Sequence, residues 1–353
     1  MKSLLPVPAK IPGPTKLVVA ALIFAAFFIK SPYVILSPGN PQNILGPAIT
    51  ISGTKIYPTT GKLSVTSVMV TDPDSYMTGF DVLYAWMSDE RAVMPRVEIY
   101  PQGESVEDSI RAGVQEMTDS QVSATAAALG YLGYELNSKL IISQVNEQTN
   151  AYKVLKVGDE VISLDNIKYK SQSEIARSLD EKNPGQIVSV KVLRSGSQII
   201  EEQIKLSARE DGSAYIGIGI TNKYDFPFEV KIQLKETGGP SGGLIFALGI
   251  IDKLTEQDLI RSRNIAGTGT ISTSGQVGPI GGIAEKIIGA EKAGVQVFFT
   301  PVQNCAELED IDQILKNKGP KGMKIVPVAT LSEAVSILNM PNNAQYPSCK
   351  SIA

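Results

Sequence analysis

The chain has 353 residues, a formal charge of -3, no histidine, and two cysteines, Cys305 and Cys349. This length accommodates two or three domains, and the near-balanced charge gives no electrostatic case for nucleic-acid binding. Without histidine there can be no Ser-His-Asp triad, Cys-His dyad or His-ligated zinc site; two cysteines are too few for a thiolate cluster, so no metal or other cofactor is expected.

The apolar run LVVAALIFAAFFI, Leu17 to Ile29, lies between Lys16 and Lys30. It is shorter than the roughly 20 residues that cross a bilayer, but extension through Pro32 and Tyr33 to Leu36, with Lys30 snorkelling, makes up the length. The expectation is a single-pass transmembrane anchor over 16–36 after a cytoplasmic N-terminus over 1–15. Lys2, Lys10 and Lys16 precede the run and only Lys30 follows closely, which places the N-terminus inside and the bulk of the chain outside the cell membrane. The rival readings are a cleaved secretory signal, with Ser37-Pro38-Gly39 as the cleavage candidate, and a buried N-terminal helix. The first two readings export the main body. There Cys305 and Cys349 either pair as a disulfide or stay as two buried thiols.

Residues 37–124 open with the Pro/Gly/Asn-rich stretch LSPGNPQNILGP, an extended linker. KLSVTSVMVT, Lys62 to Thr71, is rich in β-formers, and GESVEDSIRAGVQEM opens a helix at Ser105 with Glu107 and Asp108 in its first turn. Over 125–208 the pattern gives strand, turn, strand, helix and strand, a small α/β unit. Over 211–341, FEVKIQL alternates apolar Phe228, Val230, Ile232 and Leu234 with polar neighbours, as a half-buried strand does. VQVFFTP and MKIVPVAT read as buried strands, Thr330 with Glu333 caps a final helix, and 342–353 form a tail.

The strand FEVKIQL leads into Gly238-Gly239-Pro240-Ser241-Gly242-Gly243, followed at once by the apolar run Leu244 to Leu248. Ser241 therefore sits where a tight turn meets a helix N-terminus, beside free N–H groups and the positive end of the helix dipole. A nucleophilic serine needs a base, and a neutral lysine can serve if burial lowers its pKa. On a helix from Ile283 to Ala293, Lys286 falls among Ile283, Ala290 and Ala293, with Glu285 and Lys292 opposite. Taken alone, a snorkelling lysine and a structural glycine turn remain open alternatives.

Two stretches carry resemblances. Leu155, Gly158, Asp159, Val161, Ile162 and Asp165-Asn166, with Pro184-Gly185 and Arg194-Ser195-Gly196, resemble the PDZ family. Such domains bind extended peptides as an added strand, and the resemblance places the carboxylate loop in LGYLGYEL, at Leu132, Gly133 and Tyr134. The Ser241 turn together with TGTISTSGQVGPIGGIAEK, Thr268 to Lys286, resembles the proteolytic domain of Lon-family serine proteases. That implies Ser241 and Lys286 as the catalytic pair, Gly239, Pro240 and Gly242 around the oxyanion, and Thr268 orienting the lysine.

Two positions depart from the family pattern: Gly238 stands where many members have aspartate, with Glu236 nearby, and Gly242 stands in place of alanine, a change expected to be tolerated. No G-x-x-x-x-G-K-[ST] occurs, Gly61-Lys62 being followed by Leu63. The whole chain resembles the membrane-anchored, PDZ-containing Lon-like proteases of Gram-positive bacteria. The expected fold class is thus multidomain α+β and α/β: an N-terminal transmembrane helix, a PDZ-like domain and a Lon-type proteolytic domain. The expected function is ATP-independent endopeptidase activity on unfolded or extended polypeptides. A homo-oligomer is suggested by resemblance alone. A non-catalytic PDZ adaptor and a tail-processing Ser-Lys protease are the alternatives.

Overall fold

The computed structural model describes residues 12–72, 74–100, 106–169, 172–209, 211–234, 238–308, 322–341 and 344–351. The chain divides into two units, one built from 1–133 with 228–353 and the other from 134–227.

Helix α1, Gly13–Phe28, has 16 residues, about 24 Å at about 1.5 Å per residue against a hydrocarbon core of about 30 Å. The residues expected to lengthen it do something else: Ile29 is already extended, Lys30 bridges to Thr78, and Tyr33–Pro38 form strand β1 with Val34, Ile35 and Leu36 buried. Among the described residues no helix is long and apolar enough to cross a membrane. The expected transmembrane anchor over 16–36 is not formed, and the extracytoplasmic placement that rested on it falls with it.

The first unit is organised on a five-stranded sheet. Beyond β1 come β2 (Gln42–Asn43), β3 (Ile49–Ser52), β4 (Lys62–Val65), β5 (Val68–Val70), α2 (Gly79–Trp86), β6 (Ala92–Pro95), α3 (Arg96–Ile99) and α4 (Val106–Tyr131). Ser105, the expected start of α4, lies outside the described residues. The boundary expected at residue 125 falls inside α4, because Ala124 to Leu129 are buried and α4 packs on the helix that follows Ser241.

The second unit contains β7 (Ser138–Val145), β8 (Glu160–Leu164), α5 (Gln172–Asp180), β9 (Ile187–Arg194), β10 (Gln198–Lys205), β11 (Ser207–Ala208), β12 (Ala214–Tyr215) and β13 (Ile218–Tyr224). Its sheet order is β10-β9-β8-β7-β13, so β13 is an edge strand, and α5 lies beside it. The PDZ-like residues have physical reasons to be there. Leu155 is in the core, Gly158 has φ +92°, and Asp159, 2% exposed, takes a two-pronged hydrogen bond from Arg194 at 2.8 and 2.7 Å.

The first unit then resumes with β14 (Glu229–Ile232), α6 (Gly243–Leu254), β15 (Asn264–Gly267), β16 (Thr270–Ile271), β17 (Val277–Gly278), α7 (Ile283–Lys292), β18 (Val297–Pro301), β19 (Lys324–Val328) and α8 (Leu331–Asn339). Strands β19, β18, β15 and β4 run parallel, with β2 antiparallel at the edge. A parallel sheet must be covered on both faces. One face packs Leu63, Val65, Ile265 and Phe299 against α6, α4 and α8, and the other packs Ala266 and Phe298 against Ile283, Ile287 and Ala290 of α7. The sheet β5-β1-β6 closes over α7 in turn, through β1.

Asp252, near the end of α6, is fully buried. Its Oδ1 accepts the Leu259 N–H at 2.7 Å, while Oδ2 has no partner among the described residues. Burial raises its pKa from 3.8 to about 6. The folded state thus binds a proton more readily than the unfolded chain, so Asp252 destabilises above pH 6 and that cost is relieved as pH falls toward 4. Asp252→Asn should raise stability at pH 8 by about 1–2 kcal/mol and remove this pH slope. Urea unfolding at pH 5 and 8 would show it, and an equal effect of the substitution at both pH values would contradict it.

Candidate active site

Four elements converge on Ser241. Strand β14 is anchored by antiparallel pairing with β3 and leads to the turn 238–242; Glu236 lies outside the described residues. Gly239 has φ +87°, a conformation that costs glycine little. Its N–H donates to the Gly113 carbonyl of α4 at 3.1 Å, and the Ser120 hydroxyl of α4 donates to the Pro240 carbonyl at 3.0 Å. The turn is therefore held from the α4 side.

Gly242 is the N-cap of α6, with no side-chain cap, so the helix presents N–H groups and its positive end at the serine. A Cβ at Gly242 would lie 2.6 Å from Phe246 Cζ and 3.0 Å from Val65 Cγ2. The glycine in place of the usual alanine is thus matched to a phenylalanine ring that fills the methyl's place.

On the other side, the Ser241 carbonyl accepts the Gly269 N–H at 2.7 Å and the Thr268 hydroxyl at 3.0 Å. Lys286 reaches in from the first turn of α7: its Nζ lies 3.0 Å from Ser241 Oγ and 3.2 Å from Thr268 Oγ1. Because the Thr268 proton is directed at the Ser241 carbonyl, its oxygen accepts from the lysine. Lys286 is 4% exposed and Thr268 is fully buried, while Ser241 is half-buried. Burial lowers the lysine pKa to about 8, against a smaller opposing pull from Glu285. Among the described residues no carboxylate is within ion-pair distance of the amine, so nothing there locks it in the charged form.

Glu285 departs from the sequence expectation. The helical wheel places it opposite Lys286 on an outer face, yet it is 5% exposed, and burial raises its pKa. The cause is β1, whose sheet covers that face: a Cβ on Gly289 would lie 2.4 Å from the Gly39 carbonyl oxygen.

Leu132 and Gly133 form the C-terminal turn of α4, with their N–H groups on the Ala128 and Gly130 carbonyls and Gly133 at φ +85°. Leu132 packs on the core of the first unit. Tyr134 begins the second unit, ahead of β7. Among the described residues the sheet ends on β10 at one edge and β13 at the other, and β13 is entered through Gly217 at φ +93° and then Ile218-Gly219-Ile220. That alternation of glycine with an aliphatic residue is the signal that points to this edge. Cys305 and Cys349 are joined as a disulfide. Among the described residues no group of three histidine, cysteine, aspartate or glutamate side chains is placed to hold a metal ion.

Residues 230–340 match the family of the Lon protease C-terminal proteolytic domain, and residues 117–205 match the PDZ domain family. Similar proteins include the Lon protease of Trichlorobacter lovleyi, 39% identical over 99 residues that make up 28% of this chain and 11% of that protein. The Lon protease of Aster yellows witches'-broom phytoplasma is 25% identical over 208 residues, 58% of this chain and 24% of that protein. Among solved structures, the PDZ domain of the SdrC-like protein of Listeria monocytogenes is 27% identical, covering 23% of this chain and 85% of that one with a TM-score of 0.22. The chain spans about a tenth to a quarter of the length of these two curated relatives. It carries a Lon-type proteolytic domain and a PDZ domain.

Proposed function

We propose that the chain is a serine endopeptidase that cleaves unfolded or extended polypeptides without ATP, using Ser241 as nucleophile and Lys286 as general base. The observation that supports this reading is the 3.0 Å approach of a buried lysine amine, pKa about 8, to the Ser241 hydroxyl. A base with a pKa near the working pH is neutral often enough to accept a proton and acidic enough, once charged, to return it.

Ser241 Oγ attacks the peptide carbonyl carbon as its proton passes to neutral Lys286. The carbonyl π electrons move to oxygen. Collapse of the tetrahedral intermediate breaks the C–N bond, and the Lys286 ammonium protonates the leaving amine. Water then adds to the ester with Lys286 again taking the proton, releasing the acid and restoring Ser241. Pro240 has no N–H and the Gly239 N–H is given to Gly113, so the oxyanion donors are the N–H groups of Ser241 and Gly242. Each such donor is worth about 3–4 kcal/mol of barrier. Thr268 fixes the amine by accepting one of its hydrogen bonds.

Substrate would reach this site in extended form, with a peptide segment adding to the β13 edge of the PDZ domain beside α5. The test is nucleotide-free digestion of a permanently unfolded protein by the full chain and by Ser241→Ala. Cleavage by the first and not the second supports the reading. Equal cleavage by both would sink it, and an inert parent would favour a non-catalytic peptide-binding role.

A further inference from the structure

One buried polar side chain near the site is used by neither the fold's sheets nor the chemistry above. Asn304 sits in the 3₁₀ turn Val302–Leu308 that follows β18 and is 1% exposed. Its side-chain amide is fully engaged. Oδ1 accepts the Ile280 N–H at 3.1 Å, and Nδ2 donates to the Ile280 carbonyl at 2.8 Å and to Glu307 Oε1 at 2.6 Å. A side chain that holds both backbone groups of one residue acts as a strand in miniature, fixing that residue's position and orientation.

The residue so held is in the segment that launches the lysine helix. Gly278 is paired with Thr270, Pro279 has no N–H, a Cβ on Gly281 would meet nothing within 4 Å, and Gly282 is left-handed at φ +66°. Two glycines in such a connection leave its path poorly determined by local sterics. Beyond it, the Lys286 N–H bonds the Gly282 carbonyl at 3.2 Å, so the helix starts where the segment ends. Cys305, next to Asn304, is bonded to Cys349 and so ties the turn to the C-terminal segment.

We propose that Asn304 is a positioning residue for the Ser241–Lys286 pair, clamping Ile280 so that α7 begins at the depth that keeps the lysine amine against Ser241 and away from water. The proposal rests on the Ser241–Lys286 reading. Among the described residues, the ionisable groups near the clamp and the amine are Glu285 on α7 and Glu307 on the 3₁₀ turn. Loosening the clamp lets water reach the amine, which favours its charged form and moves the lysine toward its ordinary, higher pKa.

The experiment is the pH profile of kcat/KM on a dye-labelled unfolded protein for the full chain, Asn304→Ala and Asn304→Asp, with thermal unfolding of each measured in parallel. Asp retains the acceptor for the Ile280 N–H but turns both donor contacts, to the Ile280 carbonyl and to Glu307, into oxygen–oxygen contacts, so it is the harsher variant. In Asn304→Ala the midpoint should move about one pH unit alkaline, lowering kcat/KM about tenfold at pH 7 and less than about twofold at pH 9.5, with a shift at least as large in Asn304→Asp, whose carboxylate is repelled by Glu307. Folded variants whose midpoint matches the parent would overturn the clamp while leaving the dyad standing. Loss of folding in both variants would also overturn it, since Asn304 would then support the fold and not the lysine's placement. A parent with no activity or no rise through about pH 8 would remove the dyad reading and the proposal with it.

Discussion

Lys286→Met is expected to lower proteolysis by at least about a thousandfold, on the order of 4 kcal/mol of barrier, while making the folded chain more stable at pH 7. Methionine keeps the length and apolar stem of lysine and removes the amine, so the packing of α7 is retained and the base is lost. The stability gain follows from the sign of the pKa shift. The folded-state value, about 8, lies below the ordinary 10.5, so the folded protein holds the ammonium less well than the unfolded chain. That penalty is fully present below pH 8 and fades as pH rises through 10.5. The same shift sets the rate profile of the parent: activity should rise about tenfold between pH 7 and 9 and then level, as the neutral amine becomes the dominant form. Paired kinetics and thermal melts of parent and variant test both halves. Loss of activity with loss of stability would indicate a structural lysine and not a base kept at the expense of the fold.

The second large effect concerns the support beneath the nucleophile. Phe246→Ala should destabilise the chain by about 3–5 kcal/mol, because a fully buried ring is removed and the cavity collapses incompletely. Gly242→Ala alone should cost about 1–3 kcal/mol and most of the activity, since its methyl would fall on the Phe246 ring and move the turn that carries Ser241. In the Phe246→Ala background only the 3.0 Å approach to Val65 Cγ2 remains, and Val65 can shift into the space the ring leaves, so the cost should drop below about 1 kcal/mol. Denaturant unfolding of the four proteins gives this coupling directly. Additive costs would mean that the ring does not set the geometry of the turn.

The local settings of Ser241 and Lys286 were readable from sequence because each pattern is local: a glycine turn before an apolar helix, and a glycine-led helix that buries Lys286. Residues whose role depends on distant chain were not. Glu285 looked exposed because β1, which buries it, lies some 250 residues earlier. The apolar stretch Val34 to Leu36 was joined to the preceding helix because a short apolar run reads alike as helix or strand. Pro32 was the available sign that the helix stops first. The contacts of Asn304 could not be read locally, since its two backbone bonds reach a residue 24 positions away. The peptide-binding loop was sought before β7 because that is where the family pattern puts it, whereas the edge strand beside α5 is β13, which follows β10 in the chain and pairs back onto β7.

The most direct test of the Ser241–Lys286 pair is the rate of covalent modification of the full chain by a small serine-acylating reagent between pH 6 and 9, with the adduct located by peptide mass mapping. The expected result is a single adduct on Ser241, formed at a rate that climbs through about pH 8 and not formed in Lys286→Met. A rate independent of pH, an undiminished rate in Lys286→Met, or an adduct on another residue would contradict it.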